Sequence, residues 1–154
     1  MIVQQFLDKH HAAYDVLMHP AAYDAQRMAR SVHVAGVRVA KTVLLKADKG
    51  FKYVMAVLPA THHVDLALVK QAIGAGELEL ASEDEVAAHC VDCEVGAMPP
   101  FGSQMHIETL VDECLAREEV IVFEGNTHVE AIRMKYRDYY ELEHPLVVQI
   151  SRHD

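Results

Sequence analysis

No apolar run in this 154-residue sequence approaches the ~20 residues that a membrane-spanning helix requires. Its first stretch, MIVQQFLDKHH, meets charge at Asp8 and lacks the layout of a signal peptide, so a cytoplasmic protein is expected. Cysteine is scarce: Cys90, Cys93 and Cys114 are an odd set without a secretion signal, which predicts reduced thiols and not a disulfide framework. The sequence also lacks G-x-S-x-G, a Walker A loop, G-x-G-x-x-G and H-E-x-x-H, which removes support for the usual hydrolase, nucleotide and metalloprotease readings. Internal repeats, low-complexity tracts and linkers are missing too. A single domain over residues 1–154 is expected.

What is present suits a globular chain with one substantial core, at 51% hydrophobic and 24% charged residues. The net charge of −9 argues against a polyanionic partner, but its distribution is uneven. From Arg27 to Lys52 there are seven basic residues against Asp48 alone, and from Glu77 to Glu94 seven acids with no Lys or Arg. Such segregation fits either a local phosphate-binding face or two solvated surfaces of opposite sign.

The pattern of elements is mixed. IVQQFLDKHHAAY has helical spacing, YDVLMH reads as a short strand stopped by Pro20, and DAQRMARSV as a helix with Asp24 at its N-cap. VAKTVLLKA and FKYVMAVLP form a hairpin across DKG, with Lys41 at the head of the first strand. VDLALVKQAIG is an amphipathic helix between Asp65 and Gly74. ELELA is a strand, and SEDEVAAH opens with a Ser82–Glu85 capping box. MHIETLV, EVIVFEG and VEAIRMKY follow as strands, DECLARE and YRDYYELE as helices, and PLVVQI as an edge strand. The predicted class is α+β, a mixed and mostly antiparallel sheet with flanking helices.

Several residues invite chemistry. Cys90-Val-Asp-Cys93 is one CxxC, and a zinc site needs two more ligands, which Cys114 and His106 supply only through tertiary contact. A redox CxxC should precede a helix, whereas Cys90 ends one, so two small semi-buried thiols are the better reading. The 11 histidines are scattered, and the adjacent pairs His10–His11 and His62–His63 point apart, so most are expected at the surface. Lys41 is either a solvated strand end or an ammonium at a pocket mouth. Gly125-Asn126-Thr127-His128 is either a plain reversal or a loop that aims a hydroxyl and an imidazole into a cleft. The segment GAMPPFG, Gly96 to Gly102, is stiff, apolar and devoid of reactive side chains.

Taken in order, Lys41-Thr42 before an apolar strand, the strand ending in Pro59, DLALVKQAIG, ELELASEDEV and VGAMPPFG resemble the YbaK/EbsC superfamily. These are aminoacyl-tRNA deacylases related to the editing insertion domain of bacterial prolyl-tRNA synthetase. The resemblance runs from about Tyr14 to Ile150. It implies hydrolysis of the ester joining a wrong amino acid to the 3′ adenosine of a tRNA, often the tRNA for proline, with Ala or Cys as the expected small misplaced residue. The implied partners are the aminoacyl-tRNA acceptor end and an aminoacyl-tRNA synthetase, with no membrane, DNA, cofactor or metal. Lys41, Thr127 and His128 are the implied catalytic residues. Thr42, Gly96, Met98, Pro99, Pro100, Phe101 and Gly102 are the implied substrate-binding residues.

An aminoacyl ester is already activated, so position and a polarised carbonyl suffice, with a water or ribose hydroxyl at attack distance. Two prolines stiffen the loop and two glycines permit close backbone approach, so it can offer fixed N–H donors. The rival readings are a non-catalytic module that binds a tRNA end or a synthetase, and a zinc- or thiol-dependent enzyme built on Cys90 and Cys93.

Overall fold

A computed structural model describes residues 1–22 and 24–154. The chain opens with α1 (Val3–Lys9), β1 (Asp15–Met18) and α2 (Ala25–Ser31), the last capped by Asp24, whose carboxylate accepts from the Arg27 N–H. The hairpin β2 (Ala40–Ala47) and β3 (Lys52–Pro59) turns at Asp48–Gly50, and β4 (His62–Val64) leads into α3 (Leu66–Ile73). Asp65 caps α3 through two backbone N–H groups, and Gly74 ends it in the left-handed conformation at φ 70°. Then come β5 (Leu78–Leu80) and α4 (Glu83–His89), which starts with the expected reciprocal bonds between Ser82 and Glu85. The second half runs β6 (Glu108–Asp112), α5 (Glu113–Ala116), β7 (Val120–Glu124), β8 (Glu130–Lys135), α6 (Tyr136–Glu143), β9 (Leu146–Val148) and β10 (Ser151–His153).

The strands divide into a five-stranded sheet ordered β5-β2-β3-β6-β9, a three-stranded sheet β1-β8-β7 and the pair β10-β4. Only β3–β6 and β6–β9 are parallel, so the α+β, mostly antiparallel expectation holds. A single parallel bridge, Val39 to Val122, joins the first two sheets. It lies just ahead of β2 and fixes where Lys41 and Thr42 emerge.

Two elements escape the sequence pattern. β4 and β10 are three residues each and carry histidines where apolar alternation would announce a strand, yet they pair from His62↔His153 to Val64↔Ser151. β6 begins at Glu108 and not near Met105, because Gly102–Met105 forms a 3₁₀ turn and His106 takes φ 57°.

The largest apolar cluster lies beneath α1, α6 and the Gly96–Gly102 loop. Phe101 is fully buried at its centre, edge-on to Phe6, Phe123 and Tyr139 with ring centroids 5.1, 5.8 and 5.1 Å away.

Candidate active site

The loop is held from below. The Tyr139 hydroxyl donates to the Pro100 carbonyl at 2.7 Å, and the Gly102 N–H donates to Thr109 Oγ1 at 3.1 Å. Glu143, on α6, accepts from Thr109 Oγ1 and Ser103 Oγ at 2.6 Å each and from the Ser103 N–H at 3.0 Å. Burial raises the Glu143 pKa, and these hydrogen bonds oppose that rise. Gly102 is required sterically: a Cβ there would sit 2.5 Å from Thr109 Oγ1 and 2.6 Å from the Ile107 carbonyl oxygen.

From above, the loop is clamped by the 125–128 turn. Gly96 has φ 85°, and a Cβ on it would lie 3.3 Å from His128 Cε1. The His128 ring stands between two backbone carbonyls, with Nδ1 3.0 Å from Ala22 O and Nε2 2.5 Å from Val95 O. A neutral imidazole has one N–H to share between them. Thr127 is half-buried, and its hydroxyl accepts weakly from the Val129 N–H at 3.4 Å. Asn126, which sequence reasoning passed over, organises this corner. Its Oδ1 accepts from the Val3 N–H at 2.9 Å, its Nδ2 donates to Met1 O at 2.8 Å, and its carbonyl accepts from the Glu94 N–H at 2.8 Å. The φ of 73° at Asn126 is the local sign of such a role, since asparagine tolerates the left-handed region.

Two cavities flank the head of β2. One, of about 210 Å³, is lined by Thr42, Leu44, Leu80, Val86, Gly96 and Met98 among others, with no charged residue. It is below the usual range for drug-sized ligands and suits an amino-acid side chain. The other, of about 390 Å³, is polar and is lined by Asp24, Gln26, Arg27, Arg30 and Lys41. Successive strand residues face opposite ways, so Lys41 lines the polar cleft and Thr42 the apolar pocket. His128 lines neither cavity; its ring is seated against the carbonyl of Val95, which lines the pocket, and that of Ala22. Desolvation lowers the Lys41 pKa, with Asp154 and Asp24 pulling the other way. A larger depression, about 650 Å³ between Tyr14 and Arg133, shares no residue with the loop.

The sequence-predicted site residues therefore fall into four places. Thr42, Gly96 and Met98 meet at the apolar pocket. Lys41 stands across the strand in the polar cleft, and Thr127 and His128 belong to the turn above the loop. Pro99, Pro100, Phe101 and Gly102 are buried and do not line the pocket; Phe101 is core and Gly102 is wedged against Thr109.

Other expectations change. Cys90 and Cys93 are joined as a disulfide, not held as two free thiols, with α carbons 5.5 Å apart. The turn after α4 brings them together. Cys114 lies elsewhere. His19, His62 and His128 are buried, because each meets a partner far away in sequence. The basic stretch is largely neutralised in space: Lys46 pairs with Glu79 and Glu85, Lys52 with Glu108, Arg38 with Glu118 and Arg27 with Asp24. Around the cleft, Lys41 and Arg30 form no ion pair among the described residues, whereas Arg27 is held by Asp24.

Sequence reasoning also missed a buried acid beside the turn. Glu124 ends β7, and burial together with Glu94 pushes its pKa up to about 8. Its Oε2 lies 3.9 Å from His19 Nε2, and neither atom has a hydrogen-bond partner among the described residues.

A family model described as "Aminoacyl-tRNA editing domain" matches residues 19–142. The chain is 36% identical over 76 residues to the proline–tRNA ligase of Bacillus cytotoxicus, a match covering 49% of this chain and 13% of that one. It is 28% identical over 109 residues to the proline–tRNA ligase of Bacillus mycoides, covering 71% of this chain and 19% of the other. The chain thus spans less than a fifth of the length of these curated relatives. A solved structure of a hypothetical protein superposes with TM-score 0.88 at 18% identity, covering 99% of this chain and 100% of that chain. Another, described as a candidate trans-editing enzyme for prolyl tRNA synthetase, superposes with TM-score 0.84 at 21% identity and covers 97% and 94% of the two chains.

Proposed function

The chain belongs to the aminoacyl-tRNA editing domain family, and we propose that it is a trans-acting deacylase, one domain over residues 1–154, that hydrolyses mischarged aminoacyl-tRNA. Its substrate in this reading is tRNA for proline carrying a small wrong residue, Ala or Cys. The place of action is the cytoplasm, where charged tRNA is used; no helix among the described residues is long and apolar enough to cross a membrane.

The observation that carries the reading is the amino-acid-sized apolar pocket closed by Gly96 and Met98. The side chain of the wrong amino acid enters it, and its fit to the apolar walls sets which residue is accepted. Within the loop, the Ala97, Phe101 and Gly102 N–H groups are spent on Glu94, Pro99 and Thr109. The Gly96 and Met98 N–H groups have no acceptor in the fold among the described residues, so they are the donors available to polarise the ester carbonyl. A water, oriented by the ribose hydroxyl next to the ester, attacks the carbonyl carbon and gives up a proton. The bond from that carbon to the 3′ oxygen breaks, that oxygen takes up a proton to become the free 3′ hydroxyl, and the amino acid leaves as its acid.

Lys41, with Arg30, holds the terminal phosphate in the polar cleft on the far side of β2. His128 is a positioning residue that ties the Val95 carbonyl to Ala22 and so sets the attitude of Gly96. Thr127 offers its hydroxyl to the substrate's amino group.

A panel of mischarged tRNAs tests this. Release of Ala or Cys from the proline tRNA, with prolyl-tRNA left intact, is the expected result. Binding to the acceptor end without release of any amino acid would replace the enzyme reading with a binding module.

A further inference from the structure

Away from the loop, His62, Asp112 and Cys114 bring one potential ligand atom each to within 4.8 Å of one another. They arrive from three elements: His62 opens β4, Asp112 closes β6 and Cys114 lies in α5. His62 and Asp112 are buried and Cys114 is half-buried. None of the three lines the apolar pocket or the polar cleft. We propose that these three side chains form a binding site for one divalent transition-metal ion of the zinc type, with the fourth coordination position open to solvent.

The donor set selects the ion. An imidazole nitrogen, a carboxylate oxygen and a thiolate sulfur suit a borderline-soft cation and disfavour magnesium or calcium, which want oxygen alone. Three protein ligands with an open fourth position is a recurrent zinc arrangement.

The surrounding bonds already orient these groups. His62 Nδ1 lies 2.9 Å from Ser151 Oγ, which leaves Nε2 for an ion. Asp112 Oδ1 accepts from the Ile150 N–H and Oδ2 from the Cys114 N–H, both at 2.9 Å. Each carboxylate oxygen keeps a further lone pair, and such outer contacts are what fix the ligands of a metal centre.

Ligands around tetrahedral zinc lie roughly 3.3–3.8 Å apart. The three atoms lie within 4.8 Å of one another, so ion binding asks for a contraction of at most about 1.0–1.5 Å. As the sulfur–metal bond forms, the thiol proton passes to solvent. The ion would tie β4, β6 and α5 together, at a site that shares no residue with the pocket or the cleft.

The test is cobalt titration of the purified full chain, kept reduced, followed by displacement with zinc. We expect a thiolate-to-cobalt charge-transfer band that saturates at one equivalent and disappears on adding zinc. The double variant Cys90→Ser/Cys93→Ser keeps the band, Cys114→Ser loses it, and His62→Gln weakens cobalt binding at least about tenfold. Absence of the band in the parent, its survival in Cys114→Ser, or its loss in the Cys90/Cys93 variant would overturn the site. None of these outcomes bears on deacylation, which is measured separately.

Discussion

Glu124→Gln is the most direct physical test of the corner beside the turn. Glu124 is nearly buried, and its pKa rises from 4.5 to about 8 mainly through burial, with Glu94 adding to it. In the folded chain it therefore keeps its proton over a pH window in which the unfolded chain has lost it. Between those two values the native state binds more protons, so stability falls as pH rises. The contribution is complete below the unfolded pKa and gone above the folded one. Each pH unit in the window is worth about 1.4 kcal/mol, with a ceiling of roughly 5 kcal/mol across it. Against a total stability of about 5–15 kcal/mol, that is large.

Glutamine copies the neutral acid and does not titrate. Urea unfolding of parent and variant from about pH 5 to about pH 8 isolates the effect, because all other titrations cancel in the difference. The variant should gain on the parent steadily as pH rises, then hold a constant lead. Parallel stability curves would refute a neutral buried Glu124.

Four further outcomes follow from the site. Lys41→Ala should fold normally yet lose deacylation by about 10²-fold through misplacement of the ester, whereas Lys49→Ala at the hairpin tip retains it; parental turnover in Lys41→Ala removes the lysine from the machinery. Gly102→Ala should cost about 1–3 kcal/mol in denaturant unfolding, since its Cβ meets Thr109 and Ile107, and an unchanged midpoint would contradict the wedge. Met98→Ala should widen the pocket and admit larger amino acids, read as faster release of prolyl ester relative to alanyl ester. Chelation with EDTA should leave turnover intact while lowering the melting temperature, and zinc-restored turnover would place a metal in the reaction.

Much of the fold is legible because its signals are local. Asp24, Asp65 and the Ser82–Glu85 pair cap their helices as their spacing implies, and the DKG reversal places β2 against β3. β4 and β10 are illegible because three-residue strands gain their order only from each other, across a long stretch of chain. For the site, GAMPPFG announces a rigid loop, but not which of its residues faces out. Phe101 has the chemistry of a pocket wall and is instead core, a choice made by Phe6, Phe123 and Tyr139. Likewise the run of basic residues promises a charged face until Glu79, Glu85 and Glu108 arrive beside it from distant strands and helices. Glu124 left no trace in the sequence, since only burial makes an acid unusual.

The floor of the loop is fastened by Glu143 to Ser103, 40 residues earlier, and by Tyr139 to Pro100, 39 residues earlier. On a ribosome the loop emerges long before the helix that seats it. Until α6 is out, the carbonyl of Pro100 and the hydroxyls of Ser103 and Thr109 have only water as partner. A nascent or truncated chain that stops short of Tyr136 then carries every pocket residue and still lacks a formed pocket. The pocket, and with it the activity proposed above, forms late in synthesis, with the docking of one eight-residue helix.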